Sequence, residues 1–339
     1  MSGGVDSSVV AYLLKKEGHE VIGLFMRNWE EGEDCPAEAD YQDVVNVASS
    51  LNIPFYTINF TKEYKDRVFK DFIEQSLKGL TPNPDILCNR EIKFNLLLDK
   101  AKELGGDFLA TGHYARIKDG ELLKGLDPNK DQSYFLYTVK NDLLKSVMFP
   151  IGDLPKTEVR KLAKEANLAT HQKKDSTGIC FIGERDFRSF LSQYISVKPG
   201  PMLTLEGKKV GEHMGIAFYT IGQRKGLGIG GPGDAWFVVD KDVEKNALLV
   251  AQGLNHPSLF YSELVADTLS FVGREPPKKC HAKIRYRQND QACVVKVIGD
   301  RAYVKFDVPQ RAITPGQSIV FYDQDVCLGG GVIISRSGN

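Results

Sequence analysis

The chain has 339 residues, of which 42% are hydrophobic and 26% charged, and its formal net charge is zero. This length and composition are typical of a soluble globular protein with two or three domains and ample core. The first 184 residues carry a net negative charge and the remainder a net positive one. A protein that binds nucleic acid by bulk charge alone would be more basic, so charge neither requires nor excludes a nucleic-acid partner.

The sequence contains no long apolar run and no basic segment followed by one at its start, so we expect no membrane span and no signal peptide. None of the six cysteines forms a C-x-x-C pair, which argues against structural zinc. Scattered cysteines without a secretory signal are typical of the reducing cytoplasm, where we place the protein. Cys280, Cys293 and Cys327 lie in β-like runs and are expected to be structural, while Cys35 lies beside an acidic run.

Helical and strand patterns alternate over the first 184 residues. The patterns predict helices at 5–16, 37–51, 62–77, 91–104 and 156–167, and strands at 21–26, 53–60 and 108–111. Such alternation indicates an α/β fold with a parallel sheet and helices on both faces. Ligands bind beyond the carboxyl ends of such strands, so segments 26–29 and 111–114 are candidate site segments.

Glycine and proline become frequent after residue 185. Strands are predicted at 235–239 and 247–250, and then at 282–286, 292–298, 302–306, 318–322 and 331–334. We therefore expect a small, mostly β central domain at 185–256 and a C-terminal β-barrel or sandwich at 257–339.

The loop that enters the first helix carries the strongest chemical signal. Gly3 and Gly4 stand among hydroxyls and one acid, directly ahead of a helical apolar stripe that begins at Val5. The open N–H groups and the dipole of a helix N-terminus attract anions, and glycine allows their close approach. No lysine follows, so this is not the P-loop pattern. The alternative is a frayed Ser/Gly-rich terminus, which the amphipathic helix disfavours.

Two further segments contain candidate reactive cysteines. Pro82 and Pro84 predict an extended loop that places Cys88 at the mouth of the next helix, where its thiolate would be favoured. Segment 173–181 combines two lysines, two hydroxyls and a glycine ahead of Cys180. For both thiols the alternative is a buried, inert cysteine.

The first loop resembles the S-G-G-x-D-S loop of the ATP pyrophosphatases (the PP-loop family), which holds the pyrophosphate of ATP. Together with segments 24–29, 81–94, 110–116, 127–136, 174–187, 219–228 and 327–331, the chain resembles the tRNA-specific 2-thiouridylase family over essentially its whole length. The resemblance implies a parallel-sheet PP-loop domain at 1–184, followed by the central domain and a C-terminal β-barrel that contacts tRNA.

The resemblance also implies a reaction. ATP and Mg²⁺ would activate the C2 oxygen of the wobble uridine of tRNA as an adenylate. A persulfide on Cys180, loaded by a sulfur-donor protein, would attack C2. Cys88 would serve as the second thiol, either by releasing sulfide or by forming a transient disulfide with Cys180.

The same resemblance assigns binding residues. ATP would contact residues of the first loop and two strand ends: Ser2, Gly3, Gly4, Val5, Asp6, Ser7, Ser8, Met26 and Gly112. The tRNA would contact residues spread over two domains: Asn83, Pro84, Asp85, His113, Lys130, Asp131, Gln132, Arg285, Tyr286 and Gln317. The base must leave its stack to react, so a pocket is expected. Without the resemblance, His113 is a core-facing polar cap, 130–132 a surface turn, and 285–286 part of a half-solvated strand.

One departure from the family concerns the start of the sheet. Members usually carry a short strand before the Ser-Gly-Gly loop, whereas this sequence begins with the loop itself. We expect a sheet that lacks a central strand, with Met1 internal to a longer natural chain. Three other functions remain open: an amide- or amidine-forming synthetase of the same superfamily, an iron–sulfur enzyme using Cys88, Cys180 and Asp85, and a non-catalytic RNA-binding protein.

Overall fold

The computed structural model describes residues 1–29, 36–175 and 186–338. The predictions for Cys35 and Cys180 lie outside these residues. The described chain contains a helix-rich α/β region, a small central sheet and a C-terminal barrel, which confirms the predicted fold class.

The N-terminal region is built on two separate pairs of parallel strands. Strand β1 pairs with β2 and β3 pairs with β6, and no strand of the described chain joins the two pairs. The four strands are β1 (Gly23–Arg27), β2 (Phe55–Asn59), β3 (Leu109–Ala110) and β6 (Val147–Met148).

Helices surround these strands and bury apolar faces against them. Helix α1 packs through Val5, Val9 and Leu14 against Val159 and Ala163 of α8. The helices are α1 (Val5–Lys16), α2 (Pro36–Leu51), α3 (Thr61–Tyr64), α4 (Lys70–Leu77), α5 (Pro84–Leu87), α6 (Leu98–Glu103), α7 (Asn141–Leu144), α8 (Lys156–Glu165) and α9 (Phe187–Leu191).

Two of the long helical segments contain π-helical turns. One such turn (Lys65–Phe69) joins α3 to α4, and another (Cys88–Leu97) joins α5 to α6. Within the second, Phe94 departs from helical geometry with φ −96° and ψ 17°. Turns of this kind occur often at functional sites, and this one begins at Cys88.

The central region contains one four-stranded sheet in the order β8-β7-β10-β9. Its strands are β7 (Gly200–Leu203), β8 (Lys209–His213), β9 (Trp236–Asp242) and β10 (Ala247–Gln252). Periodicity predicts β9 and β10, but not β7 and β8, whose lysines and glycines obscure the alternation.

The C-terminal strands form a closed six-stranded barrel. The order is β11-β14-β13-β12-β15-β16, and β16 returns to pair with β11. The strands are β11 (Phe260–Phe271), β12 (Lys279–Lys283), β13 (Gln291–Ile298), β14 (Arg301–Arg311), β15 (Ser318–Asp323) and β16 (Val326–Ser337). The barrel interior holds Cys280 and Cys293, which confirms their structural placement, and Cys327 is buried on β16.

A hairpin of the N-terminal region extends the barrel. Its strands β4 (Ala115–Lys118) and β5 (Glu121–Lys124) were not predicted, and β5 pairs with β16 at Leu123 and Val326. Closure of the barrel leaves few exposed edges, and this hairpin covers part of its wall. The hairpin thereby fixes segment 125–136 against the barrel.

Candidate functional site

The loop ahead of α1 has the geometry of an anion site. Gly4 caps the helix in an extended conformation, and Gly3 has φ +74°. A Cβ on Gly3 would lie 2.6 Å from the backbone oxygen of Asp40, so only glycine fits here. The first N–H groups of α1 have no partner within the helix and can donate to a bound anion.

Three serines support this loop. The Ser2 backbone N–H donates to Ser7 Oγ at 3.1 Å, and the Ser7 and Ser8 hydroxyls donate to the Gly4 oxygen at 3.2 and 2.8 Å. Ser8 and Val5 are buried, so Val5 can contact a ligand only through its backbone, whereas Ser2 is exposed. Met26 lies near the carboxyl end of β1 and is half-buried.

Asp6 lies in the first turn of α1 and accepts two hydrogen bonds from other elements. The Tyr114 hydroxyl donates to Asp6 Oδ1 at 2.8 Å, and Lys156 Nζ donates to the same oxygen at 2.6 Å. Burial, and secondarily the charge of Asp6, raises the pKa of Tyr114 well above its ordinary value, so the phenol stays a donor.

Lys156 also belongs to a group of charges that we call the Asp175 cluster: Lys130, Lys156, Arg160 and Asp175. Asp175 Oδ1 accepts from Lys156 at 2.8 Å and from Arg160 at 2.7 Å, while Oδ2 accepts from Lys130 at 2.6 Å. Sequence reasoning missed Lys156 and Arg160, because single cations on a helix carry no recognisable pattern, and it gave Tyr114 no role beyond its place in the candidate segment 111–114.

Gly112 and His113 follow β3 and come close to the α1 loop. A Cβ on Gly112 would lie 3.0 Å from the Ser7 backbone nitrogen, so the two chain segments are in near contact. His113 is 8% exposed, and its Nδ1 lies 2.8 Å from Thr111 Oγ1. Burial, aided by the charge of Lys93, holds the pKa of His113 well below its ordinary value, so the ring is neutral at pH 7.

Cys88 does not lie at the mouth of a helix, and that prediction is wrong. The helix begins at Pro84, whose missing N–H is tolerated in the first turn, and Asn83 caps it by accepting from the Asp85 N–H at 3.2 Å. Cys88 is therefore one turn inside and only 1% exposed. No disulfide joins any two of the four described cysteines, and the predicted link to Cys180 lies outside the described residues.

The segment expected to hold the target base borders a cavity of about 520 Å³. The cavity lies where the α/β region, the central region and the barrel meet, and its lining includes Thr81, Asn83, Pro84, Phe187, Thr220 and Gln317. Gln317 of the barrel donates through Nε2 to the Thr81 oxygen at 2.7 Å. The structure therefore brings Gln317 and Asn83 together, although they are far apart in the sequence.

Other predicted tRNA contacts turn inward. Asp131 is 4% exposed: its Oδ1 accepts the N–H groups of Gly125 and Ser133, each at 3.1 Å, and its Oδ2 accepts from Lys283 at 3.2 Å. The Gln132 side chain accepts the Tyr114 N–H at 2.9 Å. These bonds fix the backbone of segment 130–132 rather than presenting both side chains to a partner.

Arg285 and Tyr286 form hydrogen bonds that link the barrel to the central region and to the N-terminal region. One Arg285 nitrogen donates to the backbone oxygens of Ile221 at 2.9 Å and Ala312 at 3.1 Å. The Tyr286 hydroxyl donates to the Lys130 oxygen at 3.3 Å, and its ring lies 4.5 Å from that of Phe135. Both residues therefore connect the barrel to the other regions, and they follow the end of β12 rather than lying within the strand predicted at 282–286.

No helix of the described residues is both long and apolar enough to cross a membrane. Within the same residues, no group of three or more histidine, cysteine or acidic side chains is placed to hold a metal ion.

Comparison with known proteins matches all three regions. Family models described as tRNA methyl transferase HUP domain, tRNA methyl transferase PRC-barrel domain and aminomethyltransferase beta-barrel domain match residues 1–184, 188–252 and 261–333. A solved structure of the U34-tRNA thiolase NcsA from Methanococcus maripaludis with its [4Fe-4S] cluster is 22% identical, covering 57% of this chain and 61% of that one. Its TM-score of 0.36 supports no argument about the site.

Curated relatives are much more similar. The tRNA-specific 2-thiouridylase MnmA of Protochlamydia amoebophila is 58% identical over 98% of this chain and 92% of its own length. The protein of the same name from Listeria monocytogenes is 55% identical over 98% of this chain and 93% of its own length. With such identity along nearly its whole length, the chain belongs to the tRNA-specific 2-thiouridylase family.

Proposed function

We propose that this chain is a tRNA-uridine 2-sulfurtransferase that replaces the C2 oxygen of the wobble uridine with sulfur at the expense of ATP. The observation that carries the proposal is the near contact of the α1 loop with Gly112, whose neighbour His113 has its ring 5.6 Å from that of Phe94, in the helical segment that begins at Cys88. An anion site, a strand-end cleft and a candidate thiol are thus contributed by neighbouring elements of one domain.

ATP is the activating substrate in this proposal. Its phosphates bind the open N–H groups and hydroxyls of residues 2–8, and its adenosine contacts Met26 and Gly112. Mg²⁺ is commonly held by one or two carboxylates together with substrate phosphates, and Asp6, in the first turn of α1, fits that role. The ion would neutralise phosphate charge there, and Lys156 and the Tyr114 hydroxyl orient the Asp6 carboxylate.

Sulfur transfer follows adenylation. The C2 oxygen attacks the α-phosphate, pyrophosphate leaves, and the terminal persulfide sulfur on Cys180 then attacks C2 while AMP departs. The Cys88 thiolate attacks the Cys180 sulfur, which breaks the S–S bond to the transferred atom. The products are 2-thiouridine and a Cys88–Cys180 disulfide, which an external thiol reduces before a persulfide donor reloads Cys180. In the alternative route with sulfide release, Cys88 first reduces the Cys180 persulfide, which forms the Cys88–Cys180 disulfide, and the freed sulfide then attacks C2.

We divide the chain into regions at 1–184, 185–256 and 257–339, and the proposed recognition of tRNA involves the first and the third. The flipped uridine lies against Asn83, Pro84 and Asp85 near the neutral His113. Arg285, Tyr286 and Gln317 contact the anticodon arm, and Gln317 does so from the lining of the cavity. Lys130, whose ammonium pairs with Asp175, is not among these contacts. Asp131 and Gln132 act by holding the backbone of segment 130–132 in place.

Nucleoside mass spectrometry of unmodified tRNA, incubated with ATP, Mg²⁺ and a persulfide donor, tests the function. We expect 2-thiouridine with wild type and none with Cys180→Ser or Cys88→Ser, because in both routes Cys88 breaks the bond between Cys180 and the transferred sulfur. Cys280→Ser, a buried barrel cysteine, is the matched control and retains activity. Product formation by Cys180→Ser would contradict the sulfur-carrier role, and AMP formation independent of both thiols would favour a synthetase.

A further inference from the structure

Asp175 is held by three cations, and the geometry resembles the way a protein holds a phosphate. Both carboxylate oxygens are used: Oδ1 lies 2.8 Å from Lys156 Nζ and 2.7 Å from an Arg160 nitrogen, and Oδ2 lies 2.6 Å from Lys130 Nζ. Lys156 is only 8% exposed. Cations at such distances and burial are partly shielded from water and salt, so their charges act strongly on whichever anion they hold.

The cluster lies beside the α1 anion loop. Lys156 Nζ is shared between Asp175 and Asp6 Oδ1, at 2.6 Å from the latter, and Asp6 lies in the first turn of α1. The unpartnered N–H groups of that turn and the Lys156 ammonium are therefore separated by a single carboxylate. A polyphosphate whose one end binds the loop has its other end within reach of the three cations.

The carboxylate of Asp175 is ionised under all ordinary conditions. Burial alone would raise its pKa, but hydrogen bonds from Lys130 and Lys156 outweigh burial and lower the pKa to about 2. A carboxylate offers fewer acceptor positions and less charge than a phosphate group of pyrophosphate. Of the two anions, the carboxylate is therefore the weaker partner for the three cations.

We propose that Asp175 is a displaceable internal anion that occupies the cation set Lys130, Lys156 and Arg160 until the pyrophosphate portion of ATP takes its place. This inference rests on the proposed use of ATP, and it extends the pyrophosphate site of the α1 loop to three cations that the resemblance did not assign to ATP. The replacement of Asp175 by pyrophosphate breaks and forms only hydrogen bonds and ion pairs, and no covalent bond changes. Arg160 also donates to the backbone oxygens of His171 and Lys173, at 3.3 and 3.1 Å, so movement of its guanidinium toward pyrophosphate weakens the hold on segment 171–175.

The test is calorimetric titration of the full chain with inorganic pyrophosphate in the absence of Mg²⁺. Asp175→Asn removes the competing charge and keeps the shape, so we expect pyrophosphate affinity to rise at least fivefold. Lys156→Met removes a central cation and should lower the affinity at least tenfold. Asp153→Asn, whose side chain is 77% exposed and 3.8 Å from Arg116, is the matched control and should change little.

An Asp175→Asn variant that binds pyrophosphate equally well or more weakly overturns the proposal, because a purely structural carboxylate gives those results. Should that variant fold poorly, hydrogen exchange of the wild type supplies the second measurement. Saturating pyrophosphate should then increase amide exchange at 171–175, and decreased exchange there contradicts displacement. Wild-type formation of 2-thiouridine is measured in parallel, so a failure of the proposed function is separable from a failure of this inference.

Discussion

The buried pair of Lys283 and Asp131 gives the sharpest prediction about how the barrel holds the site. Lys283 is 7% exposed and Asp131 4% exposed, and they join at 3.2 Å. Removing one partner of a buried ion pair costs about 3–5 kcal/mol, because the remaining charge is left uncompensated. In Lys283→Met, Asp131 keeps its bonds from the N–H groups of Gly125 and Ser133, so we expect the lower end, about 3 kcal/mol.

A second substitution should recover part of this loss. Asp131→Asn retains an acceptor for the two backbone N–H groups while removing the charge that Lys283→Met leaves unpaired. The double variant should therefore be more stable than Lys283→Met alone, by about 1–2 kcal/mol. Lys305→Met is the control, since its 3.1 Å pair with Glu263 has side chains 70% and 42% exposed, and it should cost less than about 1 kcal/mol.

Native-state hydrogen exchange is the appropriate assay, because a chain with several regions need not unfold in one step. Peptides from β12 and β15, which flank the pair, report the local free energy of opening. If the free energy of opening of Lys283→Met lies within about 0.5 kcal/mol of wild type, which is the scatter of surface substitutions, Lys283 does not compensate the buried charge of Asp131. The same conclusion follows if the double variant is less stable than the single one.

Three further predictions follow from single contacts. Gly112→Ala places a methyl group 3.0 Å from the Ser7 nitrogen and should raise the KM for ATP about tenfold. Gly230→Ala is the control: its methyl group meets no atom within 4 Å, so steady-state kinetics should stay unchanged. Gly222→Ala combines φ +85° with a 2.7 Å clash against Ala312, whereas Gly228→Ala has φ +67° and open space around it. The first should therefore lower the melting temperature more than the second. Equal decreases in melting temperature would exclude an effect of the clash. Burial lowers the pKa of Lys241 to about 8, whereas its ordinary value is 10.5. Between these two pH values the unfolded chain binds the proton more tightly than the folded one, so the free energy of unfolding should rise with pH across that window. Urea titrations of wild type and Lys241→Met measure the difference. A flat difference between the two proteins would contradict that burial.

Periodicity predicted the elements whose burial follows a simple pattern. Helix α1 begins and ends where its apolar stripe does, and β10 and β13 match their apolar runs closely. The start of α5 was missed because Pro84 was interpreted as a residue of an extended loop, whereas it occupies the first turn of a capped helix. The hairpin β4–β5 was missed because its strands are short and are stabilised by the distant β16.

The candidate site could be predicted only in part. The α1 loop carries a local motif, so its glycine turn and helix N-terminus could be predicted from the sequence, whereas the contact of residues 2–8 with ATP stays a prediction. Lys156 and Arg160 depend on the packing of α8 against α1, and no local pattern reports such a contact. The inward placement of Asp131 likewise depends on Lys283, which lies on another domain and is brought near by the closed barrel.

The most direct test of the central claim follows the fate of the C2 oxygen. A tRNA carrying ¹⁸O at C2 of the wobble uridine is thiolated with ATP, and the released AMP is weighed by mass spectrometry. If the uridine is activated as an adenylate, AMP carries the ¹⁸O, because that oxygen attacks the α-phosphate and leaves with it. AMP without the label, alongside normal formation of 2-thiouridine, would contradict activation of the uridine as an adenylate.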